Sequence, residues 1–327
     1  MIALGERRLR AAAARLRERG AAVGLALAPS PIELVDRLPA PWNSGRIWVK
    51  RDDRLGPGGT KVRKLAEAIF DARRRRASAL LTFGKLDSNH ALATAEAARR
   101  AGLSTELWIE ARGPEEQPGR GEAMAAAAER VSYRAGAVPL VVGALGRIAA
   151  ARLRGRRLAL LPPGGTTPAT TAAAATLVLE VVEQLAERGE PVPDRWAVAV
   201  GSGGTLAALW AGLRALGLSC QPVGFCASDP LVGPWLVAAL ANAALDRLGA
   251  PGHVSADEVE ISRAELGEGH GVPTEASRRA ADEWAAAGIP LDPIFTAKAA
   301  AGLRARLEQG PPGQRWLFVH TGTQVGP

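Results

Sequence analysis

Cysteine, tyrosine, histidine and lysine are all scarce in this chain, and each shortage closes off a class of chemistry. Two cysteines in 327 residues, Cys220 and Cys226, exclude a disulfide framework, and their spacing in CQPVGFC matches no zinc-ligand pattern. Six residues apart, they fall on one face of a strand, which suits a reduced, cytoplasmic protein. The four histidines, at 90, 253, 270 and 320, show no metal-ligand spacing, and neither HExxH nor GxSxG occurs. Zinc-hydrolase and serine-hydrolase chemistry therefore have no support. The N-terminal segment lacks the apolar core of a secretory signal and carries Glu6 and Glu18, unlike an acidic-poor transit peptide. The long uncharged run 196–213 has GSGG in its middle, so it reads as strand, loop and helix rather than as a membrane span.

The net charge of +8 comes from arginine, because lysine stands only at 50, 61, 64, 85 and 298. Arginines recur beside alanine in RRLRAAAARLRERG (7–20) and cluster from Arg73 to Arg76, without interleaved aromatic residues on which bases could stack. That pattern is a set of solvated helix faces, with no nucleic-acid partner expected. A chain of this length with 47% hydrophobic residues can bury a substantial core, as two domains or as one large α/β unit.

Short β-rich runs alternate with helical ones, the rhythm of an α/β fold built on largely parallel sheets flanked by helices. Strands are predicted at 46–53, 79–83, 105–110, 139–142 and 158–162. Helices are predicted at 62–76, 90–101 and 145–154, and a long one follows PGGTTP and ends near 188. A second set comprises strands at 196–200, 221–227 and 316–320 and helices at 205–217, 274–288 and 297–308. Boundaries near 63 and 180 divide the chain into a larger cofactor-binding domain, 1–63 plus 181–327, and a smaller substrate-closing domain, 64–180.

Three segments can carry chemistry. GSGGT (201–205) follows an apolar strand and opens a helix, where backbone N–H groups can cradle a phosphate, although an ordinary glycine-rich turn has the same string. Lys61 in GPGGTKVRK follows glycines at a helix start, where local positive charge favours the neutral amine that a Schiff base needs; a solvated lysine is the alternative. In DSNHA (87–91), Ser88 and Asn89 can cap a helix or face a carboxylate or phenolate oxygen.

Taken together, WVKRDD (48–53), GGTKVRKL (58–65), SNH (88–90), LPPGG (161–165), VGSGGT (200–205), LDPIFTAKAAAGL (291–303) and FVHTG (318–322) resemble the D-cysteine desulfhydrase and 1-aminocyclopropane-1-carboxylate (ACC) deaminase family. These are fold-type II pyridoxal-phosphate (PLP) enzymes similar in fold to the β subunit of tryptophan synthase. The resemblance runs in register from about residue 28 to the C-terminus. It implies PLP as cofactor, Lys61 as its Schiff-base lysine and as base for the α-proton, and Asn89 as partner of the phenolic oxygen. It further implies Gly201, Ser202, Gly203, Gly204 and Thr205 as the phosphate loop, with Thr321 and Thr296 facing the pyridine nitrogen. Ser88, Asn89, His90 and Phe295 would line a small amino-acid substrate, with Ser88 as a proton relay and His270 as general acid. A cytoplasmic homodimer with no membrane or nucleic-acid partner is the expected setting.

Several positions depart from the family pattern. Thr60 replaces an asparagine, GHG with His270 replaces GYG, Phe295 replaces a tyrosine, and Lys85 to Asp87 and GGTTP are altered; Tyr133 is the single tyrosine. ACC deaminases carry tyrosine and glutamate at positions matching Phe295 and Thr296. The expected activity is therefore D-cysteine desulfhydrase-like β-elimination to a keto acid and ammonia. ACC deamination, or a catalytically degenerate PLP-binding homologue with a regulatory role, are the alternatives.

Overall fold

The computed structural model describes residues 2–228 and 231–323. In chain order the elements are α1 (Ile2–Ala22), β1 (Ile32–Val35), β2 (Arg46–Lys50), α2 (Lys61–Arg74), β3 (Ala79–Lys85), α3 (Asn89–Arg100), β4 (Ser104–Glu110), α4 (Pro118–Ala127), β5 (Arg130–Arg134), α5 (Ala137–Leu153) and β6 (Leu158–Leu161). They continue with α6 (Pro168–Ala174), α7 (Thr176–Ala186), β7 (Arg195–Val200), α8 (Gly204–Ala215), β8 (Gln221–Cys226), α9 (Pro234–Leu248), β9 (Glu260–Ser262), α10 (Glu275–Ala286), α11 (Thr296–Gln309) and β10 (Arg315–Val319).

Two sheets organise the chain. The larger has the order β1-β2-β10-β7-β8-β9 and the smaller β5-β4-β3-β6. Every pairing is parallel except β1 against β2. Strands covered on both faces need nearly continuous apolar sequence. WAVAV in β7 and WLFV in β10 supply it, with Trp196, Trp316 and Phe318 fully buried. The smaller sheet lies wholly within the expected 64–180 segment, and the larger draws its strands from both sides of it. Helix α6 and the start of α7 also fall in that segment, yet the buried side chains of both helices join those of α8 and α9 beside the larger sheet.

Residues 139–142 were expected to form a strand, and they are helical, inside α5. Leu140, Ala144 and Ile148, spaced by four, pack on Trp108 and Leu81 of the smaller sheet. The valines of PLVV that suggested a strand point outward, Val141 being 46% and Val142 64% exposed. The edge strand of this sheet is instead β5, RVSYR, whose five residues include two arginines, a polar edge the apolar pattern did not mark. The expected long helix to 188 is two helices that meet at Ala175. Its span Pro168–Ala186 is long and apolar enough to cross a membrane by composition, but 67% of its apolar window is buried against the rest of the protein, as in a core helix.

Candidate active site

In a parallel sheet the loops leaving the carboxyl ends of the strands share one edge, and ligands sit there. Along the larger sheet that edge presents, in order, the segment leading from β2 to Lys61, the turn holding Thr321 after β10, the 201–205 loop after β7, and the segment after β9 that carries His270. The smaller sheet contributes Asp87 to Asn89 after β3 and Gly164 to Thr166 after β6. Chain segments far apart in sequence are thus gathered in one cleft.

Lys61 is the first residue of α2. Burial pulls its amine below the ordinary lysine range, and the Asp292 carboxylate opposes that shift. The helix start is fixed from below by a buried ion network. Arg63 donates to Asp52 (2.8 and 3.0 Å) and to Glu180 (2.6 and 2.8 Å). Lys50 lies 3.0 Å from Glu180 and donates to the Ser30 carbonyl and to Gln184. Backbone contacts hold the turn before Lys61 as well: the Thr60 N–H donates to the Thr321 carbonyl (3.0 Å), and a side chain at Gly59 would collide with that same carbonyl at 2.1 Å. His320, buried and bonded to the Pro290 carbonyl (2.9 Å), anchors this turn.

The 201–205 loop ends in the N-terminus of α8, where unpaired N–H groups and the helix dipole favour an anion. Thr166 faces it, its hydroxyl 2.8 Å from that of Ser202. At Gly204 a Cβ would lie 2.4 Å from Thr166 Oγ1 and 2.7 Å from Lys64 Nζ, so only glycine keeps this space open. Lys64 is 3% exposed, and among the described residues it has no carboxylate partner, only Thr166 Oγ1 at 3.4 Å. Burial, helped by the charge of Lys61, drags its pKa down to about 7. A buried ammonium without a counter-anion beside an N–H cradle fits a phosphate group. Sequence reasoning passed over Lys64, though the scarcity of lysine was a usable signal.

Ser88 caps α3 by accepting from the Ala91 N–H (3.2 Å). The Asn89 carbonyl oxygen accepts from Arg120 of α4 (3.0 Å), which also donates to the Asp87 carbonyl (3.1 Å). Arg120 therefore sets the amide's orientation, with the oxygen turned to α4 and the amino group on the other side. No motif pointed to Arg120. Asp87 accepts from His270 Nε2 (3.1 Å), and the His270 ring meets Phe295 edge-on at 5.7 Å. Phe295 Cε1 lies 3.3 Å from where a Cβ on Gly201 would be. Lys298, fully buried, donates to the Leu266 and Gly269 carbonyls (2.8 and 2.9 Å) and so holds the segment that carries His270.

Two expected contacts have other occupations. The His90 ring is buried, bonded to Thr82 (2.9 Å) and to the Pro162 backbone, and burial with the charges of Lys61 and Lys64 pushes its pKa down to about 3. It is a neutral brace between β3 and the 162–165 turn rather than a substrate contact. Thr296 is fully buried, its hydroxyl donating to Asp292 Oδ2 (2.8 Å) and accepting from the Asp292 N–H (2.8 Å). The same carboxylate accepts from the N–H groups of Ile294, Phe295 and Thr296. Thr296 thus closes the start of α11, its hydroxyl proton committed to Asp292, while Thr321 is half-buried.

Residues 23–322 match the family of pyridoxal-phosphate dependent enzymes. The chain is 30% identical, over 92% of its length and 78% of the relative's, to a bifunctional D-cysteine desulfhydrase/1-aminocyclopropane-1-carboxylate deaminase of Arabidopsis thaliana. It is 34% identical to nocardicin C-9' epimerase of Nocardia uniformis, over 92% of both chains. The solved structure of an ACC deaminase homologue superposes with a TM-score of 0.79 at 29% identity, covering 93% of this chain and 94% of that one. With the strand-end cleft, the α8 cradle and Lys61 at the start of α2, the chain belongs to the pyridoxal-phosphate dependent enzymes, within the D-cysteine desulfhydrase/ACC deaminase family.

Proposed function

We propose that this enzyme is a lyase that eliminates a β-substituent from a small amino acid, in the manner of D-cysteine desulfhydrase. Bound PLP supplies an electron sink for a bond broken at Cα. Lys61, its amine made less basic by burial, holds the cofactor and takes the α-proton. Asn89, oriented by Arg120, offers its amino group to the phenolic oxygen. Lys64 and the 201–205 loop would receive the cofactor's phosphate, and Thr321 would stand at the ring nitrogen. A hydroxyl there cannot keep that nitrogen protonated as a carboxylate does, which suits elimination. Ser88 meets the substrate carboxylate, and His270 gives a proton to the departing group. Loss of H and the β-substituent leaves an enamine whose hydrolysis gives a keto acid and ammonia.

The observation that carries this reading is the head of α11. Phe295 has no hydroxyl, and Thr296 has no carboxylate and its hydroxyl is consumed by Asp292, so the tyrosine and glutamate that ACC deaminases carry at these positions have no counterpart here. The purified holoenzyme should release pyruvate and sulfide from D-cysteine, and pyruvate from β-chloro-D-alanine, with little 2-oxobutyrate from ACC. Robust 2-oxobutyrate formation would reverse the order of substrates. Bound cofactor with no turnover of any amino acid would favour the degenerate homologue. A cytoplasmic homodimer is part of the same proposal, and light scattering after size exclusion checks the dimer.

A further inference from the structure

We propose that His270, oriented by Asp87, is a second proton-transfer group at Cα, and that with Lys61 it racemises a small α-amino acid lacking a β-leaving group. The inference rests on Lys61 being the cofactor lysine and goes beyond elimination. Nε2 of His270 lies 3.1 Å from Asp87 Oδ1, so the imidazole N–H donates there and the other nitrogen carries the lone pair. Burial raises the pKa of Asp87, but the hydrogen bond and charge of His270 outweigh it, and the carboxylate stays ionised. Nδ1 is buried and without a hydrogen-bond partner. Buried polar atoms are nearly always paired, so an orphan nitrogen beside the strand-end loops marks a position for a ligand. The ring rests on Phe295, whose Cε1 lies 3.3 Å from where a Cβ on Gly201 would be.

Strand order supplies the second argument. Lys61 enters the cleft after β2 and His270 after β9, with β10, β7 and β8 between them. Groups that reach a planar carbon from opposite flanks of a sheet can address its opposite faces. Lys61 would then take the α-proton from one face, with bound PLP supplying the electron sink. Protonated His270 delivers the Nδ1 proton to the other face. One C–H bond breaks and one forms, no oxidant or reductant is needed, and both side chains re-equilibrate with solvent. From the other enantiomer the two groups exchange roles. Asp87 acts as a positioning residue, through the tautomer of His270.

The test uses the holoenzyme with L-alanine and, separately, D-alanine in D2O. Each should gain α-deuterium and yield the other enantiomer. His270→Gln should cut interconversion at least 100-fold while one enantiomer still exchanges its α-proton with retention, because Lys61 remains. Asp87→Asn should cut interconversion at least tenfold, and Asp87→Glu should restore part of it. Independently of turnover, two-dimensional 15N spectra of the four histidines in the cofactor-free protein should show His270 with its proton on Nε2, a preference lost in Asp87→Asn. Exchange with retention alone in the wild type overturns the proposal and spares the role of Lys61. Interconversion unchanged in His270→Gln, or a neutral ring that carries its proton on Nδ1, also overturns it. No exchange, with borohydride-trapped cofactor mapping away from Lys61, overturns the underlying reading and this proposal together.

Discussion

Arg63 and Lys64 are neighbours on α2, both cationic and almost completely buried, yet their surroundings are opposite. Arg63 is gripped by two carboxylates, Asp52 and Glu180, and although burial opposes its charge, these partners raise its pKa above the usual arginine value. Lys64 faces the cradle above the helix with a distant hydroxyl as its neighbour, and its pKa falls to about 7. Below the helix the charge is balanced within the chain and serves structure. Above it the balance is left to a ligand, so one turn of α2 is anchored at its base and receptive at its top.

Removing Arg63 should have the largest effect. Arg63→Met leaves Asp52 buried without its ion-pair partner and Glu180 with Lys50 alone, and urea unfolding should show a loss of about 3–5 kcal/mol. Lys64→Met should do the reverse, leaving the cofactor-free protein at least as stable while weakening PLP binding roughly 10–100-fold, the worth of a hydrogen bond to a charged group. If both variants destabilise equally, the contrast between the two cations is broken.

The pH dependence sharpens it. Because the folded pKa of Lys64 lies near 7 and the unfolded value near 10.5, the unfolded chain binds more protons between them. Lys64 therefore makes the cofactor-free protein gain stability as pH rises from about 7 toward 10.5, and Lys64→Met should flatten that rise. PLP binding at pH 8 should draw up to about one proton onto Lys64, read by calorimetry in buffers of different ionisation enthalpy. Smaller still is Gly204→Ala, whose Cβ meets the movable ends of Thr166 and Lys64, so its loss of cofactor affinity should be less than that of Lys64→Met. Thr296→Val should cost about 1 kcal/mol of stability and leave the bound cofactor's absorbance unchanged.

Much of this arrangement was legible in the chain before folding. Apolar runs such as WAVAV and WLFV can be satisfied only inside a sheet covered on both faces, and GSGGT directly after one of them marks the turn into a helix. Lys61 stood out because lysine is scarce, this one follows glycines, and it falls where the family resemblance places the Schiff-base lysine. The helix α5 was misread because its outward valines mimic a strand, and only contact with Trp108 and Leu81 shows which residues face in. His90 stood out through its motif, but motifs do not say which way a ring turns, and Thr82 and the 162–165 turn had already taken it.

Sequence by itself determined the α/β class, the alternation of strands and helices and the residue types able to cradle a phosphate or form a Schiff base, because hydrophobic period, glycine placement and amine chemistry are local properties. Only the tertiary structure decided which of them act together. Lys64 became a candidate phosphate partner because folding stripped it of water and gave it no carboxylate. Arg120 came to orient Asn89 because α4 packs beside α3. Asp87 and His270, 183 positions apart, became a pair because the carboxyl ends of two sheets open into one cleft. Burial and partnership depend on elements distant in the chain, and those are the quantities that set a side chain's charge and direction.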